Sequence, residues 1–132
     1  MSAAAAGLDR ERAQDALLDR LFAAISARDL DGAAQLYADD IEVHHNTSDH
    51  TRDRDGGLAV LGAFLSRTES VRYDVLERRH WDGGAVQRHV LRMRVGGADY
   101  AVEACIVFGF AGGRISRIHE YLDGRALAPL GW

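Results

Sequence analysis

The stretch Val71 to Leu122 reads VRYDVLERRHWDGGAVQRHVLRMRVGGADYAVEACIVFGFAGGRISRIHEYL, and three glycine pairs punctuate it: Gly83-Gly84, Gly96-Gly97 and Gly112-Gly113. Between the pairs the hydrophobic period is two, the spacing of a half-buried strand. Four strands are predicted, over Val71–Trp81, Ala85–Val95, Tyr100–Phe110 and Arg114–Leu122. Paired glycines supply the positive φ angles of tight hairpin turns, so the four strands form an antiparallel meander.

Upstream of Val71 the period changes to that of helices. In Asp9–Ala27, Leu17, Leu18, Leu21, Phe22 and Ile25 recur at three- and four-residue spacing, and Asp29-Leu30-Asp31-Gly32 interrupts the pattern. Asp31 is the expected N-cap of a short helix over Ala33–Tyr37. Ile41–His45 alternates as a strand, and the polar tract Asn46–Gly57 reads as a loop. Leu58–Arg67 is a third helix with Leu58, Leu61, Phe64 and Leu65 inward. Helices gathered first and strands after define an α+β layer fold. Residues 1–8 are expected to be a disordered leader and residues 9–132 one domain.

Composition narrows the function classes. A chain of 132 residues, 47% apolar, fits a single globular core. A net charge of −4 speaks against nucleic acid as a partner. No apolar run reaches the roughly 20 residues of a membrane span. Ser2–Gly7 lacks the basic start and apolar core of a secretory signal, so a cytoplasmic address is expected. Arg78, Arg79, Arg88, Arg92 and Arg94 alternate with apolar residues or sit beside acids, and read as solvated strand faces. The lone Cys105, within Ala104-Cys105-Ile106-Val107, reads as a small hydrophobe.

Four strings add a resemblance. ARDLDGAAQLYADDIEVHHN (Ala27–Asn46) resembles the second helix and first strand of nuclear-transport-factor-2-like proteins, and GGRISRIHEYLD (Gly112–Asp123) resembles their last strand. VQRHVL (Val86–Leu91) and EACIVF (Glu103–Phe108) resemble middle strands of the SnoaL-like subgroup. The resemblance implies a cone-shaped α+β barrel, with three N-terminal helices packed on a curved, mostly antiparallel (mixed) sheet. It also implies a cofactor-free pocket for a small apolar organic ligand, and a homodimer. Relatives include ketosteroid isomerases, polyketide cyclases, epoxide hydrolases, dehydratases and non-catalytic transport factors, so the fold alone does not choose the reaction.

Within that resemblance, His45 falls where isomerases carry a general-base aspartate. Their two oxyanion donors fall at Leu21 and at Ile106 or Val107, which cannot serve. Set against epoxide hydrolases, Asn46 lies near the water-positioning asparagine and Glu120 matches the last-strand acid. Arg88 matches the third-strand arginine, while Val90 replaces its acid. Strand parity groups Val43 with His45, Ile118 with Glu120 and Leu122, and Gln87 with His89, Leu91 and Met93. The expected catalytic groups are His45, Glu120 and His89. The expected pocket lining is Asn46, Tyr37, Tyr73, Trp81, Leu91, Met93, Ile106, Ile118 and Leu122.

No metal is expected, because His44 and His45 point to opposite faces of one strand and His50 sits in a loop. The expected function is cofactor-independent proton transfer of isomerase, cyclase or dehydratase type. The alternatives are a non-catalytic binding or dimerisation module and an epoxide hydrolase.

Overall fold

The computed structural model describes residues 2–132. Helix α1 runs from Ala3 to Ser26, capped by Ser2, whose hydroxyl accepts from the Ala5 amide at 3.1 Å. The expected disordered leader is therefore helical from Ala3 onward, as a run of alanines favours; Met1 lies outside the described residues. The helix stops where Arg28 takes a left-handed φ of 62°, and its guanidinium donates to the Leu65 carbonyl and the Thr68 hydroxyl.

Helix α2 spans Leu30–Ala34 and is capped by Asp29, which accepts from Gly32 N at 2.9 Å. The expected helix over Ala33–Tyr37 with an Asp31 cap is thus displaced toward the N-terminus. Asp29 is the first capping residue after the break, and a helix started there is spent before Leu36. The Leu36 carbonyl instead accepts from Ile115 N at 2.8 Å, and strand β1 occupies Tyr37–His45. Helix α3 covers Arg54–Arg67, starting within the expected loop because Asp53 caps Gly56 N at 2.9 Å.

Strands β2 (Ser70–Trp81), β3 (Gly84–Val95), β4 (Ala98–Ala111) and β5 (Arg114–Leu122) form the meander, and a 3-10 turn over Gly124–Leu130 ends it. Both residues of the Gly96-Gly97 and Gly112-Gly113 turns have positive φ. The sheet order is β1-β5-β4-β3-β2, with β1 parallel to β5 and the other neighbours antiparallel. The sheet is mixed and curved but open, since its edges β1 and β2 do not pair. It closes as a cone only through the helices laid across one face: α1 packs on β2 and α3 on β1.

Leu18, Leu21, Phe22 and Ile25 of α1 meet Phe108, Ile115 and Ile118 in the core. Among the described residues, no helix is long and apolar enough to cross a membrane.

One irregularity redirects side chains. Val75 pairs with His89 and Glu77 with Arg88, which leaves Leu76 as an extra residue in β2. Such a bulge reverses the alternation beyond it. Val71 and Tyr73 face the helices before the bulge, and Arg78 and His80 face them after it. Their side chains are only 13% and 8% exposed. Arg78 is therefore no solvated strand residue, because plain alternation does not survive the bulge.

Candidate functional site

The inner face of the sheet and the two long helices enclose a cavity of about 1050 Å³. Leu91, Ile106, Phe108 and Ile118 form its sheet wall, and Leu21, Phe22, Ile25, Leu61 and Phe64 its helical wall. Asn46, Thr47, Ser48 and Arg52 border it beyond β1, with Thr47 next to Gly124, and Leu127 and Trp132 border it from the C-terminal end.

The parallel pairing of β1 with β5 sets His45 directly beside Glu120, with Nε2 3.7 Å from Oε1. Glu120 is the only acidic residue on the cavity wall among the described residues. Burial pushes its carboxyl up to about 7, since apolar surroundings disfavour the charged form. Burial, then the Arg52 and His44 charges, hold His45 below the ordinary imidazole value. At neutral pH the pair is a neutral imidazole next to a carboxyl balanced between its two forms.

Tyr37 and Tyr73 line the same cavity. Burial and the Glu120 charge push the Tyr37 phenol up to about 12, and they raise Tyr73 as well, with a smaller contribution from Tyr37. Both phenols are therefore protonated donors near the carboxylate.

Of the other expected residues, Leu91, Ile106, Ile118 and Leu122 are on the wall. Asn46 borders the cavity, but its amide is occupied: it donates to the Leu122 carbonyl at 2.9 Å and accepts from Leu122 N at 3.2 Å, extending the β1–β5 ladder. Trp81 is off the wall and 44% exposed, beside Gly84, where an added Cβ would meet its indole. Met93 is buried in the core beyond the cavity. His89 faces inward but is 1% exposed and lies behind the wall, against the rings of Phe22 and Tyr73 at 5.6 and 5.2 Å. Burial lowers its pKa to about 4.

Arg52, Leu127 and Trp132 also border the cavity, although no motif in the sequence marks them as lining residues. Only the apolar spacing of Leu127, Leu130 and Trp132 hinted at a packed C-terminal segment. Leu130 is buried, and Arg67 donates to its carbonyl at 3.2 Å while its guanidinium lies 5.0 Å over the Trp132 ring. Among the described residues no group of three or more His, Cys, Asp or Glu is placed to hold a metal ion. His44 lies on the outer sheet face against His119, and His45 on the inner.

A model of the SnoaL-like domain family matches residues 18–118. The chain belongs to the SnoaL-like family. Solved structures share its fold at low identity. A protein with a ketosteroid-isomerase-like fold from Catenulispora acidiphila, in complex with trimethylamine, superposes with a TM-score of 0.75 at 16% identity, covering 87% of this chain and 92% of that one. An LEH-like epoxide hydrolase from M. tuberculosis gives 0.72 at 15% identity, over 86% and 85%. TerC, co-crystallised with polyporic acid, gives 0.75 at 15%, over 89% and 97%. No curated protein sequence matches this SnoaL-like chain significantly. At these identities the likeness is one of fold, and the residues of the site must supply the chemistry.

Proposed function

We propose that this SnoaL-like protein is a cofactor-independent enzyme that moves a proton within a small, largely apolar carbonyl or hydroxyl compound, as an isomerase, cyclase or dehydratase does. The observation that carries this is the His45–Glu120 pair set into an apolar cavity, with the Glu120 carboxyl at about 7. A general base works best when its pKa lies near the operating pH. Glu120 takes a proton from a carbon next to a substrate carbonyl, and the electron pair moves onto the carbonyl oxygen. The Tyr37 and Tyr73 phenols donate hydrogen bonds to that oxygen. The Glu120 carboxylic acid then returns the proton at another carbon or gives it to a departing oxygen. Neutral His45, 3.7 Å away, is the partner that accepts or supplies a second proton.

The test is turnover of ketone and hydroxyketone panels by Glu120→Gln and His45→Gln, each with its fold checked by circular dichroism. Each variant is expected to lose about 100-fold or more. Undiminished turnover in both sinks the reading.

One observation favours a non-catalytic ligand cup: the His45–Glu120 distance exceeds a hydrogen bond. Ligands that raise the melting temperature yet are recovered unchanged would support that alternative. Epoxide hydrolysis gains nothing from the site, because the Asn46 amide that would position water is bound to Leu122. We also propose a homodimer formed through the outer sheet face. There Tyr121 is 46% exposed and Cys105 and Val107 are half-buried on adjoining strands.

A further inference from the structure

Behind the cavity wall a chain of polar side chains runs from α1 into the sheet. Asp15 and Asp19 each accept from Arg78 Nη1 at 3.0 Å. Arg78 donates from Nε and Nη2 to Gln87 Oε1, at 3.0 and 2.7 Å. Gln87 Nε2 lies 2.9 Å from His89 Nδ1. His80, beside Arg78, reaches Asp15 at 2.8 Å and Gln14 at 2.6 Å, so the outer end of the chain is held on both sides. Gln87 is 0% and His89 1% exposed, and His89 Nε2 is buried without a protein partner.

Donor and acceptor roles along this chain follow from one group. A guanidinium has only donors, so the Gln87 oxygen must face Arg78 and its NH₂ must face His89. An amide NH₂ only donates, so His89 Nδ1 must accept. The ring proton is then on Nε2, and Nε2–H is the buried group left over. An unmet buried donor costs about 1–3 kcal/mol, which a structure retains for a reason. The rings that pack on the imidazole, Phe22 and Tyr73, are cavity-wall residues, as is Leu91 next along the inner face of β3.

We infer that Arg78 and Gln87 are positioning residues that lock His89 as its neutral Nε2–H tautomer, giving the inner end of the cavity a donor that selects ligands carrying a carbonyl or ether oxygen at that end. The low pKa of buried His89 agrees with this, because an imidazolium would set two donors against each other at Nδ1. In this proposal the bound ligand displaces the Phe22 ring, which packs on the imidazole at 5.6 Å, while Glu120 and the phenols act on the ligand's other portion. This rests on the cavity being the ligand site proposed above.

The tautomer is read on the unliganded, ¹⁵N-labelled protein by long-range correlation of the His89 ring nitrogens. Wild type is expected to show Nε2 protonated and Nδ1 bare at neutral pH. Gln87→Glu replaces the donor with an acceptor, and is expected to move a proton to Nδ1. Arg78→Met frees the Gln87 amide to rotate, and is expected to give mixed tautomers. It serves as the second variant if Gln87→Glu does not fold. A wild-type Nδ1–H tautomer, or the same tautomer in wild type and every folded variant, overturns the lock. For the ligand, 1-tetralone is expected to bind up to about tenfold more tightly than tetralin and to shift the His89 Nε2–H signal. Binding no tighter than tetralin, or cavity occupancy without that shift, overturns the acceptor preference. Neither arm uses turnover, so failed catalysis with an intact lock counts against the proton-transfer reading alone.

Discussion

A carboxyl walled in by Ile106, Ile118 and Leu122 is costly to ionise, and that cost has two measurable sides at Glu120. Its folded value of about 7 lies above the ordinary 4.5, so the folded state holds a proton that the unfolded chain releases earlier. Stability from this group is full below the ordinary value and is lost as pH rises through about 7. Glu120→Gln removes the buried charge, and the variant is expected to be more stable than wild type at alkaline pH by up to about 3 kcal/mol. The advantage vanishes in acid, where both side chains are neutral. Urea titrations at several pH values check this, and equal stability at every pH would contradict it. The same ionisation governs rate: if Glu120 is the base, turnover rises with pH through about 7 and levels off above it. A rate that falls over this range would assign the working form to the protonated acid.

Small irregularities in the elements decide what faces the cavity. Gly57 in α3 sits over β1, where an added Cβ would lie 2.6 Å from Val43 Cγ2. Gly57→Ala is therefore expected to destabilise by about 1–3 kcal/mol through overpacking. Gly62→Ala, on the same helix with Leu30 Cδ2 at 3.4 Å, is expected to be neutral or stabilising by up to about 1 kcal/mol. Chemical denaturation of the two variants side by side distinguishes packing from propensity.

At this scale the sequence was legible wherever its pattern was regular. The glycine pairs placed the meander, and the inward face of Gln87, His89, Leu91 and Met93 follows from simple alternation. It was illegible at Arg78, because only pairing with β3 reveals the bulge at Leu76. Asn46 was equally opaque: nothing local shows that its amide would bond to Leu122, 76 residues away.

Assembly and enclosure belong to the whole molecule. The outer sheet face has Val107 near its centre, paired with Val86 on one side and His119 on the other. If that face joins two copies, Val107→Glu buries a charge in the interface. The variant is expected to sediment as a monomer with unchanged helix content, where wild type at micromolar concentration sediments as a dimer. A monomeric wild type would refute the assembly.

The sequence by itself determined the helix-then-meander order and the inward face of β3, because each is written in local period and turn chemistry, while four short strings carried the resemblance to the family. The tertiary structure alone decided which polar groups meet. The parallel β1–β5 pairing sets His45 beside Glu120, and the β2 bulge turns Arg78 toward Gln87. Packing of Phe22 and Tyr73 puts His89 behind the wall rather than on it. Such meetings depend on register and on contacts between residues far apart in the chain, which one strand's alternation does not encode.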